Sequence, residues 1–357
     1  MRWVGVILLA FAAASATPRS DSIADYPRVV PGIEFRFPRD HGAHPAFRIE
    51  WWYLTGWLER TDGKPIGFQI TFFRLRPATD PANPSRFAPK QLIIAHAAIS
   101  DPATRVLVHD QRMARAGFGI AAAREGDANV ALLDWSLRRS STGVFRAIIP
   151  ARGFALDLTF NPRQPPMVNG KRGYSRKGPQ PKQASYYYSM PQLAVSGTVT
   201  QGGKKIAVAG LAWLDREWSS TPLDPRAIGW DWTGINFDDG AALMAFQVRG
   251  RDGRAMYAGG TWRRADGSQL ELGPEDVRFV PRRRWRSPQS GAIYPVAADF
   301  LVRLPEGIKR FPLKPMFDAQ ELGGRGSLMP VYWEGAVTTT GGRGYLEMTG
   351  YAAPLRL

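Results

Sequence analysis

WYLTGWLERTDGKPIGFQITFFR, residues 52–74, is two alternating runs hinged on Thr61-Asp62-Gly63-Lys64, the sequence mark of a β-hairpin. The same unit returns at residues 230–252 as WDWTGINFDDGAALMAFQVRGRD and aligns without a gap. Trp52 meets Trp230, Thr55-Gly56 meets Thr233-Gly234, and Phe68-Gln69-Ile70 meets Phe246-Gln247-Val248. Agreement at both ends of a hairpin predicts two copies of one β unit.

Outside the repeat, period-two alternation recurs at FALDLTF (154–160), AALMAFQVR (241–249), DFLVRL (299–304) and YLEMTGY (345–351). Asp-Gly turns punctuate it near Asp238, Arg251 and Ala265, and 37 Gly with 29 Pro leave little room for long helices. The chain of 357 residues therefore reads as all-β. Ser and Pro interrupt the alternation in SSTPLDPRA, 219–227, which sets the expected domains at 30–220 and 226–357. Each has length for eight or more strands closed into an antiparallel barrel. A closed barrel of that size is expected to hold an elongated apolar ligand inside; a β-sandwich with a dry core is the competing architecture.

The first twenty residues, MRWVGVILLAFAAASATPRS, carry Arg2, an apolar run from Trp3 to Ala14 and a small-x-small site at Ala14-Ser15-Ala16. This pattern predicts a signal peptide over 1–16 and a periplasmic or secreted protein, the apolar run being too short to span a bilayer. There is no Cys, which excludes disulfides and thiolate chemistry. The net charge is +16, and two basic stretches, 161–183 and 281–287, contribute to it. For an exported protein, an anionic membrane surface is a better expected partner than nucleic acid, solvated loops being the plain alternative.

Residues for chemistry are few. There is no G-x-S-x-G elbow and no P-loop, and the four His, at 41, 44, 96 and 109, lie in the first third of the chain. Neither a His-based triad nor a cofactor is expected; His41, His44 and His96 could in principle share a metal, but loop or rim roles are commoner. Strand alternation places Arg48, Glu50, Trp52 and Leu54 on one face. Trp52 and Leu54 align with Trp230 and Trp232, which reads as barrel packing, whereas Glu50 aligns with Ile228 and is private to the first copy. A carboxylate on that face needs a partner, and Arg48 is the nearest candidate. In GLAWLDREWSS, 210–220, Trp213 and Asp215 share a face; a buried Asp beside indoles would titrate near neutrality and could deliver a proton. In ASYYYSMPQL, Tyr186 and Tyr188 share a face and offer hydroxyl and π contacts.

Taken together, FRIEWWYLTGWL, FQITFFR, HAAISD, YYYSMPQL, GLAWLDREWSS, GWDWTGINFDDGAALMAFQVR and VYWEG with GRGYLEMTGY resemble the carotenoid 1,2-hydratase (hydroxyneurosporene synthase) superfamily, specifically its secreted AttH-type branch. The resemblance covers nearly the whole chain after the leader. It implies tandem lipocalin-like (calycin) barrels, although the lipocalin G-x-W occurs only at Gly260-Thr261-Trp262, in mid-domain. For the hydratases it implies an Asp that protonates a terminal isoprenoid double bond, aromatic rings that stabilise the tertiary carbocation, and addition of water. Their Tyr-x-Asp segment falls on 213–215 and keeps Asp215; their His-x-Trp segment falls on 186–188, where Tyr replaces His. Two functions follow from the resemblance. One is a hydro-lyase acting on an isoprenoid or lipid through Asp215, with Glu50 as a second candidate carboxylate and Trp52, Tyr186, Tyr188, Trp213, Trp230 and Trp232 as ligand contacts. The other is a non-catalytic carrier serving an AttH-type ABC transporter.

Overall fold

Most neighbours in the two sheets are consecutive strands joined as hairpins, and many of the turns between them carry Gly. The computed structural model describes residues 26–78, 83–85, 87–323 and 330–355; the leader-like residues 1–16 lie outside them. Among the described residues there is no α-helix, only a 3-10 turn at Arg39–His41.

The first sheet has thirteen strands from Ile49 to Ser219, all antiparallel where they pair. Its first strand, Ile49–Arg60, lies between its own hairpin partner Pro65–Leu75 and the sheet's last strand, Lys204–Ser219. The sheet curls until Ala121–Ala123 and Asn129–Leu132 pack back on Leu92–Asp101, which nearly closes the barrel. The second sheet repeats the plan with ten strands from Ala227 to Met348, its first strand Ala227–Phe237 again flanked by hairpin partner and last strand. The fold is all-β, two tandem lipocalin-like antiparallel barrels.

Side chains fill both barrels where an internal ligand cavity was expected. Trp52, Trp135, Trp218, Phe68, Phe72 and Tyr188 occupy the first, each at most 2% exposed. Tyr294, Phe300, Trp333 and Leu346 occupy the second, all fully buried. Each such ring withdrawn from water contributes about 1.5–3 kcal/mol, so neither barrel has reason to open around a guest. A cleft lies between the barrels, lined by residues of both.

A third apolar cluster joins the barrels, with Tyr53, Trp57, Tyr187 and Trp213 from the first against Trp232, Met244, Ala336 and Tyr345 from the second. The approach is close: a Cβ on Gly67 would stand 2.8 Å from both Ala336 Cβ and the Tyr345 hydroxyl. Trp57 Nε1 donates to the Gly344 carbonyl at 3.0 Å, and Asn236 Nδ2 to the Ala212 carbonyl at 3.1 Å.

The repeated hairpins are not superimposed face for face. In Ile49–Arg60 the even residues Trp52, Leu54 and Leu58 enter the first core. In Ala227–Phe237 the odd residues Ile235 and Phe237 enter the second, so Trp230 and Trp232 point outward into the cleft. The pairing of Trp52 with Trp230 thus joins a core ring to a cleft ring, correcting the common packing role read for both. The physical reason is that both faces of these strands are covered, one by the barrel interior and one by the other barrel.

Candidate active site

The outward-facing residues of the first barrel are the odd members of Ile49–Arg60, and Ile49, Trp51 and Tyr53 form one wall of the cleft. Trp230, Trp232, Phe246 and Val248 form much of the other. Trp51, Trp230 and Phe246 remain half-buried at the rim, so the cleft communicates with solvent. Its volume is about 150 Å³, the size of a cavity that accepts a benzene-sized group. A longer molecule would therefore seat one end here.

Asp215 sits in this cleft, 3% exposed, and three donors converge on its carboxylate. Tyr187 OH donates to Oδ2 at 2.6 Å; Ser189 Oγ and Trp213 Nε1 donate to Oδ1 at 2.5 and 2.6 Å. Trp232 Nε1 of the second barrel donates to the Tyr187 hydroxyl at 3.1 Å, which orients that phenol toward the acid. Burial pushes the Asp215 carboxyl up to about 7, with the three hydrogen bonds opposing and the neighbouring Glu217 carboxylate assisting. Near neutral pH the group is thus poised between acid and base. The indoles of Trp213 and Trp232, 6.3 Å apart and edge to face, flank it and can stabilise positive charge.

Further acids face the same space. Glu334 and Glu347 stand opposite each other on paired strands. Burial pushes Glu334 up to about 8, with the nearby Tyr53 and Tyr332 phenols opposing. Glu347 is raised well above the usual range by burial and by Glu334, and Trp230 Nε1 donates to it at 3.2 Å. Lys177, from the basic stretch 161–183, faces Glu217 across the cleft, and its ammonium is lowered by burial. That stretch is accordingly not only a solvated loop: Met167–Val168 and Tyr174–Arg176 pair with the long strand Ala184–Gln201. In the second basic stretch, Arg282 and Arg283 are engaged by Asp299 and Asp318.

The residues singled out from sequence divide between two faces. Asp215, Trp213, Trp230 and Trp232 meet at the cleft and its wall. Glu50 and Trp52 do not reach it. Glu50 is fully buried in the first barrel, ion-paired with both Arg74 and Arg216, and its two oxygens share the His44 amide N–H, each at 3.0 Å. Its partners are thus not Arg48, and Arg216 pairs with Glu50 rather than Asp215. Although burial opposes it, the two guanidiniums hold the Glu50 carboxyl well below the usual range, so it is a fixed anion with no proton to give. Trp52 packs under the Arg216 guanidinium at 3.9 Å and donates to the His41 carbonyl. The His are not brought together: His41 bonds Tyr188, His44 stacks on Trp218, and His96 lies at the cleft with Tyr332.

Tyr186 and Tyr188 also turn away from Asp215. Tyr186 OH bonds the Val30 backbone, Tyr188 OH bonds His41 Nδ1 at 2.6 Å, and Tyr187 between them is the cleft residue. The cause is a β-bulge. Counted back from the Gly202-Gly203 turn, perfect pairing would set Tyr186 and Tyr188 on the face of Asp215. A register shift between Met190 and Leu193 reverses every side chain beyond it, leaving Ser189 opposite Asp215. Gln192 in the bulge has φ of 58° and is pinned to the second barrel through the Asn236 side chain and the Phe237 carbonyl. Pro191 was the sequence signal, since Pro within a paired strand marks a bulge. Trp51, Tyr53, Glu334 and Glu347 were missed because they belong to the faces that meet only when the barrels dock, and Tyr187 and Ser189 because the bulge reverses their face.

Fold and site together define a tandem lipocalin-like protein with an acid-bearing aromatic cleft between its barrels. The chain belongs to the AttH-like family, whose model matches residues 28–351. It is similar, at 52% identity and a TM-score of 0.84, to a crystal structure described as an AttH from Nitrosomonas europaea, over 91% of this chain and 99% of that one. Kievitone hydratase from Nectria haematococca shares the fold at 16% identity and a TM-score of 0.65, covering 94% and 95% of the two chains. CghA shares it at 12% identity and a TM-score of 0.53, covering 94% and 97%. No curated protein matches the chain in sequence.

Proposed function

We propose that the cleft binds one end of an apolar, unsaturated small molecule and that Asp215 protonates its double bond, water then adding to the carbocation. A C–H bond forms as the Asp215 O–H breaks. Water attacks the cation and returns a proton to the carboxylate, so the sum is addition of water. The observation that carries this reading is Asp215 itself, a buried carboxyl raised to about 7 at the base of an aromatic cleft and oriented by three donors. Tyr187 and Ser189 supply the orientation that the replaced His supplies in the hydratases. The hydratase among the structures of like fold and the resemblance to the carotenoid 1,2-hydratases agree with it.

Export rests on the leader-like residues 1–16. A role beside an ABC transporter rests on the AttH kinship.

The test is incubation of the purified protein with unsaturated isoprenoids and lipids in heavy-oxygen-labelled water. Label should enter the product with wild type and fall by about 10²–10⁴-fold with Asp215→Asn. If no wild-type turnover is found while both proteins bind the same molecules equally, the protein is a carrier.

A further inference from the structure

One row of side chains crosses the first barrel's wall of the cleft at right angles to the strands. Ser189, Asp215, Tyr53, Thr71 and His96 occupy successive paired positions on five neighbouring strands. At about 4.8 Å between strands, Tyr53 lies one step from the acid and Thr71 two, about 5 and 10 Å along the wall. Beyond Asp215 the row is polar and, apart from His96, which bonds the Tyr332 hydroxyl, unsatisfied. The Tyr53 hydroxyl, the Thr71 hydroxyl, both amide atoms of the adjacent Gln69 and both carboxyl oxygens of Glu334 opposite are buried with no partner at hydrogen-bond distance among the described residues, the Tyr53 and Tyr332 phenols facing the Glu334 carboxyl without closing on it.

Such a concentration is costly, about 1–3 kcal/mol for each group left unpaired, and nothing in the barrel packing requires it. The chemistry of the cluster indicates its guest. His96 is held neutral, its imidazole lowered to about 3 by burial. Glu334 keeps its proton at neutral pH. The wall therefore offers hydroxyl and carboxylic-acid groups without net charge, which suits a neutral oxygen function better than an ion.

Resting on the hydration reading above, we infer that the substrate is an apolar molecule carrying a neutral hydroxyl or carbonyl group about 5–10 Å from its reacting double bond, and that Tyr53, Thr71 and Glu334, which line the cleft, bind that group. The wall thereby sets which end of the molecule meets Asp215.

Geraniol has this spacing, myrcene is its hydrocarbon counterpart and geranylamine its cationic one. Binding of all three is measured by quenching of the cleft tryptophans, in Asp215→Asn so that nothing turns over. Geraniol should bind about 10-fold more tightly than myrcene, and geranylamine no better than geraniol. In the Tyr53→Phe/Thr71→Val variant, geraniol should lose that advantage and myrcene should bind as before. The melting temperature should fall by no more than about a few degrees, because neither hydroxyl removed has a partner at hydrogen-bond distance among the described residues. Equal binding of geraniol and myrcene, a preference retained in the double variant, or a preference for geranylamine would each overturn the inference and leave the hydration reading standing. Failure of all three probes to bind the cleft would overturn both.

Discussion

Because burial raises the Asp215 carboxyl to about 7, its proton is held more tightly in the folded chain than in the unfolded one, where a carboxyl titrates near 3.8. The folded state therefore binds more protons between those values, and stability contributed by this group is fully present below the unfolded pKa and lost as pH rises toward 7. Integrated from about pH 5 to about pH 8, the loss is about 3 kcal/mol, close to two factors of ten in the folding equilibrium. Glu217, Glu334 and Glu347 are shifted in the same direction, so the whole protein's profile is steeper than one group explains. The isolating measurement is the difference between wild type and Asp215→Asn in urea unfolding across this range. Asn has no proton to lose, so wild type should lose about 3 kcal/mol relative to the variant between the two pH values. Parallel profiles, agreeing within about 0.5 kcal/mol, would show that Asp215 titrates as an ordinary carboxylate and would remove the basis for its role as acid.

Tyr187→Phe removes one donor to Asp215 and the acceptor of Trp232 Nε1, so the alkaline limb of the pH–rate profile, where activity falls as Asp215 loses its proton, should move upward by about one unit or more. Gly234→Ala would put a Cβ 2.7 Å from the Trp232 ring and 3.0 Å from that of Trp213. Tryptophan emission and turnover should change more than melting temperature, since the displaced indoles serve the acid. Glu50→Gln leaves Arg74 and Arg216 facing each other in a dry barrel, which should cost about 3–5 kcal/mol in urea unfolding. Stability unchanged in that variant would refute Glu50 as the strut of the first barrel.

The alternation and the repeated hairpin made two antiparallel barrels legible, because period two and Gly turns follow from backbone geometry that any strand obeys. Asp215 beside Trp213 was legible for the same reason: two positions along one strand share a face whatever surrounds it. The sequence could not say which face of a strand would be core. Trp51 and Trp52, like Tyr187 and Tyr188, are adjacent rings of like apolarity, and both members of each pair are covered, one by its own barrel and one, wholly or in part, by the docked neighbour. Hydrophobic pattern carries no parity where both faces are buried. Tertiary structure decided it, through a bulge at Pro191 pinned by the second barrel and through docking that set the acid of one barrel against the indoles and carboxyls of the other.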